Sequence, residues 1–373
     1  MIRRKISPRK DWAQRVEAQG FMYHSLECPY WEDGAYYEFT EAQALEIERV
    51  SNELHTKCLQ AVDFVIANNL FSRLGINEGT KDLITESWER VEPGVYGRFD
   101  LVYGPDGNLK LLEYNAENPI SLFEASAIQR KWAEDQFAGA RQSNAICEQL
   151  RAAWQRLDLG NNLVHFSCDQ FSAEDIGNLE YMRMEADAAG VATKLVYLQQ
   201  MEYSHELGRF VDQDGIPIKI WFKLYPLSWL LNEPNGKFIP KAQLRIIEPP
   251  WKALLDHKGL LVVLSELFPN HPNILPCSFS PEKFSAGYVR KPIGGIQGSN
   301  VSVHLHGKVI LKEGNFGEET AVYQPFIETT VQDGRHAVLG SWIIGDRYAG
   351  FGIRDSLGLI TDTTCLFLPH VIT

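Results

Sequence analysis

Long apolar runs are scarce in this chain of 373 residues. The strongest, around Leu260 to Leu264, is far too short to cross a bilayer. The opening MIRRKISPRKDW is basic but lacks the apolar stretch of a secretory signal. Cysteine is sparse as well. Six residues at 28, 58, 147, 168, 277 and 365 form no Cys-x-x-Cys pair and no dense framework. Reduced, mostly buried thiols in a cytoplasmic protein are the plain expectation. No internal repeat or low-complexity tract is present, and no GxxxxGK[ST], GxSxG or GxGxxG motif. Positive charge is in deficit: 36 Lys and Arg against 48 Asp and Glu give a formal net charge of -12. Such a surface repels phosphodiester backbones and acidic lipid, so neither nucleic acid nor membrane is expected as a partner. Small cations such as polyamines are not repelled.

What is present is ordinary globular composition, 45% hydrophobic and 23% charged. The length suits one large or two intimate domains. Thr40 and Gln43 make a capping box, after which Ile47, Val50, Leu54, Cys58, Ala61 and Val65 recur at helical spacing until Asn68. His55 on this helix reads as a packing or surface residue. Residues 95 to 116 alternate as two strands around Gly104-Pro105-Asp106-Gly107. Helices are expected over Ala125 to Gln136 and Gln142 to Arg156. A strand–helix–strand unit follows, with strands at Leu163–Ser167 and Thr193–Leu198 around a helix closed by Gly190. Gln199 to Pro217 reads as a polar linker. From Tyr288 onward, short strands alternate with glycine turns.

The chemistry concentrates in two stretches. In Arg98-Phe99-Asp100 and Glu113-Tyr114-Asn115, residues two apart share a strand face. With Asp106-Gly107 as a two-residue hairpin loop, paired positions sum to 213. Asp100 then lies opposite Glu113 and Arg98 opposite Asn115, all on one face. Phe99, Leu101, Tyr103, Leu112 and Tyr114 fall on the other. Carboxylates directly opposed repel, and a bound cation would remove that penalty. Two carboxylates and an amide oxygen are hard ligands suited to magnesium. The competing reading is a solvated polar strand face.

The second stretch, Tyr288 to Val303, reads strand, glycine-rich loop, strand. Gly294, Gly295 and Gly298 let amides turn toward phosphate oxygens, and Lys291 could add an ammonium. A plain turn is the competing reading. The apolar strand Thr320 to Phe326 contains Gln324, which could offer an amide to an adenine ring or simply pack in a core. Arg354 closes a glycine-punctuated strand. His304 and His306 lie two apart, but nothing nearby completes a transition-metal site.

Taken in order, several motifs resemble the synthetase part of glutathionylspermidine synthetase and, more closely, short bacterial homologues described as acid–amine ligases. They are Pro29-Tyr30-Trp31, Arg98-Phe99-Asp100, Leu111 to Ala116, Phe222-Lys223-Leu224-Tyr225-Pro226, Trp251-Lys252, Phe268 to Asn273, Arg290 to Ile293, Gly340-Ser341-Trp342 and Gly352-Ile353-Arg354. The resemblance covers nearly the whole length. It implies an α/β (α+β) ATP-grasp fold with rearranged element order, in which the metal-binding hairpin precedes the phosphate lid. It also implies one ligase domain over 1–373, with a metal-binding hairpin at 95–120, an α/β subdomain at 160–245, and the lid and adenine strand at 285–326.

By the same resemblance, Asp100, Glu113 and Asn115 hold magnesium, while Arg98 and Arg354 stabilise the transferring phosphoryl group. Lys291 is the lid lysine, Gly295 and Gly298 belong to the lid, Gln324 faces adenine and Lys312 contacts nucleotide. The implied reaction is ATP- and magnesium-dependent ligation of a small-molecule or peptide carboxylate to an amine, polyamines included, through an acyl phosphate. The alternatives are a peptide ligase with other substrates and a catalytically degenerate ATP-binding regulator. The cysteine–histidine amidase part of the bifunctional enzymes has no counterpart here. Two departures stand out. Ser228 occupies the place of a family glutamate after the Tyr-Pro segment, and Ile296 that of a lid arginine.

Overall fold

The computed structural model describes residues 1–25, 28–317 and 320–373. Its centre is an antiparallel sheet in which Tyr96–Tyr103 pairs with Leu109–Asn115 on one side and Arg335–Ile344 on the other. Arg347–Ser356 and Leu366–Leu368 extend it outward. Alternation gives this sheet two chemistries. Phe99, Leu101, Leu111, Tyr114, Leu339, Phe351 and Ile353 face a core built on the long helix Glu41–Ala67 and the apolar helix Leu260–Leu267. Phe99 and Tyr114 stack there at 3.8 Å between centroids. The helix starts at the expected capping box, and all six of its expected apolar positions are buried. His55 is buried too, bonded to the Tyr114 hydroxyl at 3.0 Å.

A second antiparallel sheet is ordered Lys308–Leu311, Ser302–Leu305, Tyr288–Pro292, Ala321–Pro325. A third is parallel: Arg245–Ile247, Ile220–Lys223, Val164–Ser167, Thr193–Leu195, with the helix Ala173–Ala188 as a crossover. Two small sheets complete the arrangement. One joins Ile2–Lys5, Ala35–Phe39 and His370–Ile372; the other is the hairpin Glu202–Ser204 with Arg209–Val211. That last hairpin corrects the expected linker at Gln199 to Pro217. Its strands are three residues each, too short for periodicity to reveal. The helix expected from Gln142 begins only at Ile146, because Gln142, Ser143 and Asn144 spend their polar groups on His370, Tyr348 and Ser126 instead. Among the described residues, no helix is long and apolar enough to cross a membrane.

Candidate functional site

The hairpin register at the site is as expected, but the route to it differs. Asp100 pairs with Glu113 and Arg98 with Asn115. The loop has three residues, not two: Gly104 N–H donates to Asn108 O, and Gly107 takes a φ of 77° that favours glycine. That loop alone would shift every pair by one. A bulge beside Asp100 puts the shift back. One side chain changes face as a result. Leu111 packs in the core, whereas Leu112 lines a cavity with Asp100 and Glu113.

That cavity, about 830 Å³, is walled by the two large antiparallel sheets and by segments that follow strands of the parallel one, among them Asp169, Leu224 and Tyr225. Arg98, Asp100, Glu113, Asn115, Lys291, Gly295, Gly298, Gln324 and Arg354 all line it. Lys312 does not; its ammonium is held 3.0 Å from Asp362. Each lining residue is placed by backbone geometry. Gly340 lies opposite Asp100 across the sheet, and a Cβ there would come within 2.9 Å of Arg98 Cδ. Its bare backbone is what lets the Arg98 stem lie over the sheet. On the second sheet, Val289 pairs with Gln324, so Val289, Lys291 and Gln324 share the face turned to the cavity. Gly298 has a φ of 74°, and a Cβ on it would stand 2.8 Å from Thr361 O. His304 instead stacks on Tyr288 at 4.4 Å and bonds Ser302.

Asp100 is the electrostatic hub. Arg98 Nε donates to it at 2.7 Å and Arg354 Nη2 at 2.6 Å. Burial alone would raise its pKa, but the Arg354 and Arg98 guanidiniums outweigh burial and hold it down at about 2. Arg98 Nη1 also donates to Ile120 O at 2.5 Å, which fixes the guanidinium from two sides. Across the hairpin, Glu113 meets the Lys258 ammonium at 3.4 Å, and Lys258 also donates to Gly295 O at 2.7 Å. Burial lowers the Lys291 pKa, and its ammonium donates to Leu112 O at 2.8 Å.

These cations correct one inference. The Asp100–Glu113 opposition is relieved by Arg98, Arg354 and Lys258, so repulsion does not by itself call for a metal. The donor chemistry nevertheless fits magnesium. A carboxylate offers about four lone-pair sites, and guanidinium donors take three on Asp100. Glu113 lines the cavity with Asn115 beside it at 3.5 Å. Magnesium needs only one or two carboxylates, the rest of its shell being water and phosphate. Among the described residues, no trio of His, Cys, Asp or Glu forms a metal site of its own. At the other sheet, Gln324 Oε1 is buried with no hydrogen-bond partner among the described residues. An acceptor stranded this way is costly until a donor such as an exocyclic amine reaches it.

Sequence reading missed Lys258, Glu117 and Asp256, all on the cavity wall. Asp256 Oδ1 accepts the Ala116 and Glu117 amides at 2.8 and 3.2 Å. Burial, then Glu117, pushes its pKa up to about 6. No local pattern marks these residues; only the tertiary fold brings Asp256 and Lys258 to the hairpin. Ser228 and Ile296 both line the cavity.

Comparison with known proteins points to one family. A family model described as "Glutathionylspermidine synthase preATP-grasp" matches residues 3–373. A Haemophilus influenzae protein named "Putative acid--amine ligase" is 37% identical over 97% of both chains. Trypanothione synthetase of Crithidia fasciculata is 30% identical over 87% of this chain and 55% of its own. The bifunctional glutathionylspermidine synthetase/amidase of Escherichia coli is 26% identical over 87% and 57%. The chain thus spans little more than half of those two larger proteins. In three dimensions it is similar to an apo glutathione synthetase-like effector, GSS30, from Globodera pallida, with a TM-score of 0.58 at 9% identity over 98% of both chains. That likeness shows the fold, a mixed α/β arrangement of the ATP-grasp class with several antiparallel sheets.

Proposed function

We propose, for a chain that belongs to the glutathionylspermidine synthase family and is a carboxylate–amine ligase, that ATP drives the ligation through an acyl phosphate. The observation that carries this reading is a convergence of charge. Arg98, Arg354, Lys258 and Lys291 line one cavity and meet Asp100, Glu113 or the backbone beside them, while Glu117, Asp169, Asp175 and Asp256 also line it. Four fixed cations gathered around the hairpin in a partly dry cleft suit the oxygens of a polyphosphate. Gln324 supplies the acceptor for an adenine amine, and the glycine-rich loop supplies amides for phosphate oxygens.

A carboxylate resists amines because oxide is a poor leaving group. Transfer of the terminal phosphoryl group to the carboxylate oxygen replaces that leaving group with phosphate. The amine nitrogen then attacks the carbonyl carbon, phosphate departs and the nitrogen loses its proton. Negative charge on the phosphoryl oxygens peaks during transfer. Arg98, braced by Asp100 and Ile120 O, meets that charge without reorganising. Arg354 is braced by the same carboxylate. Arginines so placed in other phosphoryl-transfer enzymes contribute roughly 10^3 or more in rate. Glu113, Asp100 and Asn115 would hold magnesium, which would supply charge neutralisation on the phosphates. The loop from Gly294 to Ser299, pinned by Lys258, keeps water from the activated acid. The substrates are a small-molecule or peptide carboxylate and an amine, with polyamines among the candidates.

Thermal shift with magnesium-ATP and with EDTA-ATP tests nucleotide binding, since a ligand of the folded state raises the melting temperature. No shift in either at millimolar ATP sinks the reading. An ADP-release screen against pools of acids and amines then identifies the substrates.

A further inference from the structure

Lys223 is fully buried, and its ammonium contacts the carboxylate of Glu117. Two more bonds close around the pair. Lys223 Nζ donates to Tyr225 O at 2.9 Å, and the Leu227 amide donates to Glu117 Oε1 at 2.6 Å. The partners come from different sheets. Glu117 follows Asn115 by two residues at the end of the hairpin, and Lys223 ends a central strand of the parallel sheet. Residues on both sides of the pair line the cavity: Glu113, Asn115 and Glu117 on one wall, Tyr225, Ser228 and Trp229 on another. The backbone at Ala116 and Glu117 is tied to a third wall by Asp256, two residues from Lys258.

A buried ion pair is a weak device for stability, because desolvation offsets its attraction and an apolar pair of similar volume often serves as well. What it does well is fix one geometry, since a slip of either partner strands a charge. The geometry fixed here is the distance between the hairpin that carries Glu113 and Asn115 and the Tyr225–Trp229 turn. From this placement we infer that Glu117 and Lys223 are positioning residues, coupling occupancy of the phosphate end of the cavity to the order of the turn that walls its other side. The inference rests on the proposed nucleotide site. It assigns neither residue to the chemistry; both act through the walls they hold.

Hydrogen exchange on the full chain, with and without magnesium and a nonhydrolysable ATP analogue, tests the coupling. In the natural protein, the analogue should slow exchange at least threefold both in Gly294–Ser299 and in Leu224–Asn232. The double variant Glu117→Gln/Lys223→Met removes both charges together, so no uncompensated ion remains to unfold it. It should keep the slowing at Gly294–Ser299 and lose it at Leu224–Asn232. Glu117→Gln alone, which keeps an oxygen for the Leu227 amide, should show an intermediate response. A merely structural pair would lower the melting temperature without separating the two segments. Equal slowing at Leu224–Asn232 in natural and double-variant proteins overturns the inference while leaving the nucleotide site standing. No slowing at Gly294–Ser299 in the natural protein overturns both.

Discussion

Two sets of buried carboxyl groups feel the same arginines and titrate in opposite directions. Asp100 is held at about 2 by Arg354 and Arg98 against its own burial. Burial pushes Glu124 up to about 7, and Arg98 offsets only part of that. Glu174 rises to about 8 through burial and then Glu124, with Arg354 and Arg98 opposing. The difference lies in contact. Asp100 receives N–H donors from two guanidiniums, the shortest at 2.6 Å. Glu124 receives the Tyr30 hydroxyl at 2.8 Å on one oxygen, while its buried Oε2 has no hydrogen-bond partner among the described residues. A guanidinium that acts on a carboxyl through its charge alone does not make up for lost water. The first region keeps its carboxylate charged; the second pushes its carboxyls toward the protonated form.

The strongest way to break the comparison is Asp100→Ala. Arg98 and Arg354 would then lose the buried carboxylate to which both donate. Removing one partner of a buried ion pair costs about 3–5 kcal/mol, and turnover should fall roughly 10^3-fold or more as the arginines lose their bracing. Urea unfolding and ADP release measure the two effects. Unchanged stability would mean that the guanidiniums do not depend on Asp100.

A smaller effect of opposite sign is expected at Glu124. A carboxyl with a raised folded pKa keeps its proton in the folded protein at pH values where the unfolded chain has lost it. Its contribution to stability is therefore greatest below its usual value of 4.5 and falls as pH rises through about 7. Glu124→Gln cannot ionise. It should gain about 1–3 kcal/mol over the natural protein at pH 8 and nothing near pH 4.5. Melting curves from pH 4.5 to 8.5 check this. A gain that is the same at every pH would show that Glu124 does not titrate in this range.

These two regions were not equally legible in the sequence. Arg98, Asp100, Glu113 and Asn115 sit on two strands joined by a short turn, so alternation alone predicted their common face. Even the unforeseen loop and bulge cancelled at that point. Lys291 and Gln324 were visible as polar residues in β-like runs, but their shared face needed the pairing of Val289 with Gln324. Lys258, Asp256, Glu124 and the Glu117–Lys223 pair carry no local period. Their roles come from contacts between segments, such as the bond between Lys223 and Glu117, 106 residues apart. Lys312, a nucleotide contact by resemblance, lies outside the cavity lining, with its ammonium 3.0 Å from Asp362.

The smallest effect expected is at Ser228, where the resemblance implies a glutamate. Loss of a charge-assisted hydrogen bond to a polyamine would cost roughly 1.5–3 kcal/mol if the site were dry. Ser228 is exposed at the cavity wall, and its carbonyl accepts the Asn232 side chain at 2.8 Å. A glutamate there would meet its amine in screened surroundings, where such pairs are worth about 0–1 kcal/mol. Ser228→Glu should therefore lower the KM for a cationic amine by no more than about fivefold, since 1.4 kcal/mol is a factor of ten. It should leave the KM for ATP and the melting temperature unchanged. Competition of spermidine against a neutral amine, followed by mass spectrometry of the products, reads the effect directly. A tenfold or larger preference for spermidine would place position 228 with the buried carboxylates, in spite of its exposure, and would tie amine choice to that one substitution.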